Sequence, residues 1–425
     1  MRHLYSFILY CLTPFIVLRL WRRSFKNPAY RQRWGERFAW YSLKTDKPVI
    51  WLHSVSVGET LAAVPLVQLL LEKYPDYAIL ITTTTPTGSD RVRETFADKV
   101  LHVYAPYDLP GAVKRFLDHF NPCIAIIMET EVWPNLFYAC DQRQIPVVLA
   151  NARLSEKSAK GYHKVATLMQ STLACMHTIA AQTQDDAARF MRLGATPTQV
   201  QVTGSIKFDL KLPASLRESA EVLRRELGQH RKVWIAASTH EGEEEQLLDA
   251  HQQLLQSMDD SLLILVPRHP ERFDRVAQLS EKRNLKTCRR SERQRCDAAT
   301  KVYLGDSMGE LMLLYAAADV AFVGGSLVDV GGHNLLEPAA LGVPVVTGPT
   351  MYNFAEITSR LLECEGMLQV SDAAQLASSV ERLLLDANVR CQMSDRALDF
   401  VEANRGALDR LMNIIAAVLR RNHQE

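Results

Sequence analysis

Three short stretches carry acids and a lysine where proton transfer or charge stabilisation can be done. In His53–Thr60 (HSVSVGET) a strand-like run leads through Ser54–Ser56 to Gly58 and Glu59, which open a helix. Glu59 fits a general base, and fits equally a favourable first-turn acid. A nucleophile elbow is excluded, because Ser54 stands where the first glycine of Gly-x-Ser-x-Gly belongs. In Met128–Asn135 (METEVWPN) Glu129 and Glu131 follow an apolar strand. Two close carboxylates can raise each other's pKa or hold a cationic transition state; the alternative is a cap on a helix starting at Trp133. In Val202–Asp209 (VTGSIKFD) Lys207 follows a strand and a glycine turn. There it can face a departing phosphate, or be a solvated surface lysine.

A second group suits nucleotide binding. Leu265–Phe273 (LVPRHPERF) puts Arg268 and His269 at a strand's C-terminal end, where a guanidinium can grip a phosphate or a base edge. Gly305–Tyr315 (GDSMGELMLLY) starts a helix at Met308-Gly309-Glu310. Phe322–Pro349 reads as strand, glycine-rich loop, helix from Asn334, and strand. A helix N-terminus behind glycines offers N–H groups to a phosphate, and Glu337 in its first turn suits ribose hydroxyls. An ordinary βαβ turn would carry the same pattern.

Elements that place such groups recur along the chain. Strand-like runs begin at Val49, Ala78, Val100, Ile124, Val147, Thr178 and Val200, and again at Val233, Leu262, Val302, Ala321 and Val343. Helical stretches lie between them, and the chain reads as helical from Asp372 to Arg421. This alternation predicts an α/β fold with parallel sheets covered on both faces. A length of 425 residues exceeds one typical core, so two domains are expected. The boundaries read as an N-terminal helix at 1–23, a first Rossmann-like domain at 24–210, a linker at 211–232 and a second domain at 233–425. Lys286–Arg295 is a charge run that reads as a solvated loop.

Forty-nine Lys and Arg balance 48 Asp and Glu, which gives no basic bias on the scale of a nucleic-acid binder. The first 37 residues nevertheless hold eight Lys or Arg against one acid, Glu36. Leu4–Leu18 is apolar but short for a full span and is followed by Arg19-Leu20-Trp21-Arg22-Arg23, with no small-residue cleavage site. A short anchor or an interfacial helix is expected ahead of a helix packed on the protein's own core, with the body on the cytoplasmic side of an anionic membrane. Eight scattered cysteines without metal spacing read as reduced core residues. The sequence has no Asp-x-Asp, no P-loop, no Gly-x-Gly-x-x-Gly and no zinc-spaced histidine pair.

HSVSVGE, ETEVWPN, ANARLS (Ala150–Ser155), STHEGEE (Ser238–Glu244) and GGHNLLEP occur in order, between YRQRWGER (Tyr30–Arg37) and Asn353-Phe354. With them the chain resembles the 3-deoxy-D-manno-octulosonic acid (Kdo) transferases of Gram-negative lipopolysaccharide synthesis. That resemblance implies a GT-B fold of two Rossmann-like domains facing across a cleft, the first for the acceptor and the second for the donor. It implies inverting, metal-independent transfer of Kdo from CMP-Kdo to a lipid A precursor (lipid IVA) at the inner membrane, with no cofactor. By the resemblance Glu59 is the base, Glu129 supports the transition state, and Lys207 stabilises charge. Pro267, Arg268, Met308, Gly309, Glu310 and Asn334-Leu335-Leu336-Glu337 fall to the CMP moiety. A nucleotide-sugar 2-epimerase, a UDP-sugar transferase and a tethered sugar-nucleotide binder are the competing readings on fold alone. An epimerase would need no anchor.

Overall fold

The computed structural model describes residues 1–293 and 296–422. Two compact units form: Met1–Asp209 together with the chain from Arg405 onward, and Leu210–Asn404. Strands of the first are β1 (Val49–His53), β2 (Ala78–Thr83), β3 (Leu101–Tyr104), β4 (Pro122–Met128), β5 (Val147–Ala152), β6 (Thr178–Ala181) and β7 (Val200–Val202). They pair in parallel in the order β3-β2-β1-β4-β5-β6-β7. Strands of the second are β8 (Val233–Thr239), β9 (Leu262–Pro267), β10 (Thr287–Arg289), β11 (Val302–Leu304), β12 (Val320–Val323), β13 (Val345–Thr347) and β14 (Met367–Gln369). Their order is β10-β11-β9-β8-β12-β13-β14, again all parallel.

Both sheets are apolar on both faces because helices cover both. Alternate residues of β1 show it: Val49 and Trp51 enter one core with Phe116 and Ile127, while Ile50 and Leu52 enter the other with Leu66 and Ile126. Strand order reverses direction between β1 and β4 and between β8 and β12. Such switch points leave a crevice at the strands' C-terminal ends, where α/β folds bind ligands.

Several expectations are corrected. The last helix, Ala407–Asn422, does not belong to the second unit. Leu408, Leu411, Met412 and Ile415 pack into the first unit's core with Leu66 and Ile126. Asp209 holds its start, accepting from Gly406 N–H and Leu408 N–H at 2.6 Å each. The stretch expected as a linker contains helix Leu216–Leu227, whose Leu223 and Leu227 are buried with Val233 and Tyr315 of the second unit. Within the charge run, Thr287–Arg289 forms an edge strand rather than a loop, because Cys288 faces the core while Lys286 and Arg289 find Asp297 and Asp306 outside it. Gln294 and Arg295 of that run lie outside the described residues. Short β14 carried too few residues to stand out in the sequence.

The N-terminal helix α1 runs from Arg2 to Lys26, longer than the apolar stretch suggested and long and apolar enough to cross a bilayer. Phe7 and Phe15 are each 67% exposed on it, and Arg19, Arg22 and Arg23 are exposed near its end. Not all of the basic head is turned outward. Arg33 pairs with Glu36 at 2.7 Å, and Arg37 is buried, donating to the Thr84 carbonyl at 2.9 Å. Of the cysteines only Cys140 and Cys288 are fully buried; Cys11 and Cys391 are exposed.

Candidate active site

Glu59 sits at the start of helix α2 (Val57–Lys73), just beyond β1. Ser56 caps that helix: its Oγ accepts from Glu59 N–H at 3.3 Å and donates to Glu59 Oε1 at 2.9 Å. Val55 N–H donates to Oε2 at 2.7 Å. This is a reciprocal helix cap, so the structural role foreseen for the acid is real. It does not exhaust the group, because a carboxylate has about four acceptor positions. Burial raises its pKa to about 7; those two hydrogen bonds pull down, and the charges of Glu129 and Glu131 push up. A carboxylate balanced near neutrality is what general-base work requires.

Glu129 follows β4, on the other side of the same switch point. Its φ is +58°, a left-handed backbone costing a non-glycine residue about 1–2 kcal/mol. Strain of this kind survives where the surroundings hold it, commonly at sites of function. Lys207 Nζ lies 3.5 Å from Glu129 Oε1. Two residues on, Glu131 accepts from the Trp133 indole N–H at 2.7 Å; burial and then the Glu129 charge raise its pKa. The Trp133 ring stands edge-on to buried His53, 5.2 Å between centroids. The helix expected from Trp133 begins at Pro134, and its cap is Asp108: that carboxylate accepts from Asn135 N–H at 3.0 Å and Leu136 N–H at 2.8 Å. Glu129 and Glu131 are therefore not spent on capping it.

Asn151, in the ANARLS stretch, has a positioning role its sequence did not disclose. It is fully buried with φ +53°, and its Oδ1 accepts from Ile206 N–H at 3.2 Å, fixing the turn that carries Lys207. Its Nδ2 is buried without a partner. Asp209 ties the same turn to the last helix.

In the second unit, Arg268 follows β9 and is exposed; its backbone N–H donates to the Thr239 carbonyl at 3.0 Å. Pro267 is buried at the strand's end. His240 after β8 and His333 after β12 stack with an interplanar angle of 3° and approach Nε2 to Nε2 at 2.8 Å. Burial lowers both pKa values, that of His333 to about 4. Two neutral rings at that distance share one Nε2–H, one donating and the other accepting. His269 stands edge-on to His240, and the Arg268 charge reaches both rings as well as Glu337. Neither His240 nor His333 was singled out by sequence, although both lie in motifs that were.

The glycine loop departs from its expected use. The amides of Gly325, Ser326 and Leu327 donate to the Glu243 carboxylate at 2.7, 3.0 and 3.0 Å, and His240 N–H adds a fourth bond at 3.2 Å. The cradle thus holds the chain's own anion. Glycine is required at 324 because a Cβ there would sit 2.7 Å from the Ser238 carbonyl and 2.8 Å from Glu243 Oε2. Glu243 is fully buried, and burial raises its pKa against these four donors. The helix expected from Asn334 spans only Leu336–Ala340, and Asn334 Oδ1 already accepts from Leu336 N–H at 3.1 Å. Asn334 Nδ2 also donates to Glu337 Oε1 at 3.1 Å. Leu335 and Leu336 are fully buried, so only their backbone can meet a ligand. Met308 is exposed and Gly309 has φ +83°. Glu310 is clamped by Arg290 at 2.7 Å and by Ser307, which lowers its pKa. Arg290 belongs to the run read as solvated.

Comparison with known proteins decides the family. The model for 3-deoxy-D-manno-octulosonic-acid transferase (kdotransferase) matches residues 32–210, and that for glycosyl transferases group 1 matches residues 235–400. A 3-deoxy-D-manno-octulosonic acid transferase of Haemophilus influenzae is 44% identical over 99% of both chains. The chain belongs to the Kdo transferase family. A second such transferase, from Bordetella pertussis, is 35% identical over 97% of this chain and 98% of its own. Membership makes this Kdo transferase a glycosyltransferase of lipopolysaccharide synthesis. Its fold is GT-B: a UDP-GlcNAc 2-epimerase of Neisseria meningitidis superposes with a TM-score of 0.57 over 88% of this chain and all of its own. At 14% identity that likeness concerns the fold alone.

Proposed function

We propose that this Kdo transferase moves Kdo from CMP-Kdo to lipid IVA, the tetraacyl disaccharide bisphosphate precursor of lipid A, with inversion and without a metal. One observation carries the reading: Glu59, with a pKa near 7, shares the β1/β4 switch point with Glu129, itself paired to Lys207. Glu59 takes the proton of the acceptor hydroxyl as that oxygen attacks the anomeric carbon, a step worth about 10²–10⁴-fold. Glu129 stabilises the oxocarbenium-like transition state, and Lys207, 3.5 Å away, helps to orient the carboxylate. The bond to the CMP phosphate breaks, and Lys207 and Arg268 answer the charge that leaves with it.

The second unit serves the donor. Arg268 meets the phosphate, Pro267 and the Met308–Glu310 turn border the nucleotide, and Asn334 and Glu337 reach the ribose, with Leu335 and Leu336 contributing backbone. The first unit serves the acceptor. Helix α1 keeps the protein on the cytoplasmic face of the inner membrane, its apolar side chains in the bilayer and Arg19, Arg22 and Arg23 at anionic headgroups.

The test is a mass spectrum of lipid IVA incubated with CMP-Kdo and the protein in the presence of a chelator. A gain of one or more Kdo units is expected. No gain in chelator with a gain in its absence sinks the metal-free step, and no gain in either condition sinks the substrate pair. Removal of residues 1–23 is expected to release the protein from membranes; unchanged sedimentation with membranes refutes the anchor.

A further inference from the structure

Helix α1 is bolted to the body by polar contacts at its start. Ser6 Oγ donates to Asn135 Oδ1 at 2.9 Å, the Arg2 guanidinium lies 3.6 Å above the Tyr138 ring, and Tyr5 hydrogen-bonds Asp108. Beyond this bolt a groove of about 200 Å³ opens between helix and body. Leu9, Thr13 and Ile16 line it on the helix; Tyr107, Leu109 and Trp133 line it on the body. From Tyr5 to Ile16 it follows the helix for about 16 Å, at 1.5 Å per residue.

Several polar side chains of its lining are engaged within the protein. Thr13 Oγ1 donates to the Leu9 carbonyl at 2.8 Å, Trp133 Nε1–H donates to Glu131, and Tyr107 hydrogen-bonds Arg37. Asp108 accepts two backbone N–H bonds as well as Tyr5. Side chains so engaged offer a polar occupant few partners, and the apolar lining favours a hydrocarbon one. The groove is also open to hydrocarbon. The helix that forms one wall carries exposed Leu4, Phe7, Leu12, Phe15 and Leu18. Past Ile16 stand Arg19, Arg22 and Arg23, which keep an anionic lipid surface beside the groove's outer end. On its body side Trp133 donates to Glu131, in the loop that carries Glu129.

We propose that this groove seats one acyl chain of the phosphorylated glycolipid acceptor, and that the chain's position there presents the acceptor sugar to the Glu59–Glu129 carboxylates. The inference rests on the reading that the acceptor is a lipid. It adds a specificity site: affinity is drawn from hydrocarbon that the reaction leaves unchanged, through residues of α1 as well as of the globular body.

The test uses the full chain in detergent micelles, with a tetraacyl disaccharide bisphosphate carrying a photoreactive diazirine within one acyl chain. A phosphatidylglycerol with the same labelled chain is the comparison. After irradiation, peptides containing Tyr107–Leu109 and Val132–Trp133 are expected to carry at least fivefold more label from the glycolipid than from the phospholipid. The outward face of α1 should take both alike. Leu9→Trp, which fills the groove, should lower body-side labelling at least tenfold while labelling of Phe7 and Phe15 persists. Ile16→Trp repeats the test should the first variant fold poorly. Equal body-side labelling by both lipids, absent body-side labelling, or body-side labelling untouched by filling the groove each overturns the proposal. Body-side labelling that obeys these expectations in a protein unable to use CMP-Kdo would uphold the groove while the donor reading fell.

Discussion

The two units place their ionisable groups at the same topological position and fill it with different side chains. At β1/β4 stand Glu59, Glu129 and Glu131, with one ammonium, Lys207, against them. At β8/β12 stand His240 and His333, with Arg268 just after neighbouring β9 and a deeply placed acid, Glu243, locked by four backbone amides. Burial works on both sets and pushes them apart in function. It raises carboxylate pKa values in the first unit, towards proton acceptance near neutrality, and lowers imidazole pKa values in the second, leaving Arg268 as the standing positive charge. One fold thus yields a crevice of raised carboxylates and one of lowered imidazoles beside a guanidinium, and the side chains following the strands decide which is which.

The sharpest way to break this contrast is Glu59→Gln. Gln can maintain the reciprocal cap, so melting should shift little, while kcat falls by about 10²–10⁴-fold. Near-normal turnover in the variant would end the base assignment. Next comes Arg268→Ala, which should weaken CMP binding about 10–100-fold by calorimetry through loss of charge-assisted hydrogen bonds, with acceptor affinity spared. Unchanged CMP affinity would move the anion grip elsewhere. Glu243→Gln should cost about 1–3 kcal/mol of stability, because an amide cannot accept all the bonds offered and brings two donors of its own. A melting temperature equal to the parent's would show that the locked acid is dispensable.

The smallest effect concerns pH. The rate should rise with pH through about 7 as Glu59 loses its proton. Stability has the opposite sign. A carboxyl whose folded pKa exceeds its unfolded value binds its proton more tightly when folded. Its contribution is fully present below the unfolded value near 4.3 and is lost as pH climbs to about 7. Thermal scans between pH 4 and pH 8 should therefore show a shallower decline in Glu59→Gln than in the parent, and parallel curves would contradict the raised pKa.

Much of this was legible before the structure. Strands such as Val49–His53 and Thr178–Ala181 announce themselves because strands buried on both faces are continuous apolar runs between breakers. Glu59, Glu129 and Lys207 could be flagged because acids and lysines at strand ends are poorly explained by packing. What stayed hidden depends on partners distant in sequence. Nothing near Gly325 says that its amides are already taken by a carboxylate 82 residues earlier. The His240–His333 pair spans 93 positions. Asn151 and Ile206 are 55 apart, and the value of that bond lies in a turn the local pattern cannot show. The strand Thr287–Arg289 was masked by its own charges, whose counter-ions come from Asp297, Asp306 and Asp274.

The return of the last helix has a consequence for synthesis. Ala407–Asn422 completes a core whose other members are made before Asp209, with the whole second unit translated in between. At roughly 5–20 residues per second, the ribosome takes about 10–40 s to cover that interval. Throughout it the face awaiting Leu408, Leu411 and Ile415 is open, while the second unit can already fold. The first unit closes only after its last helix leaves the exit tunnel, so its nascent form keeps that apolar face exposed until then. A premature stop in the 400s would therefore strand the first unit while leaving the second largely built.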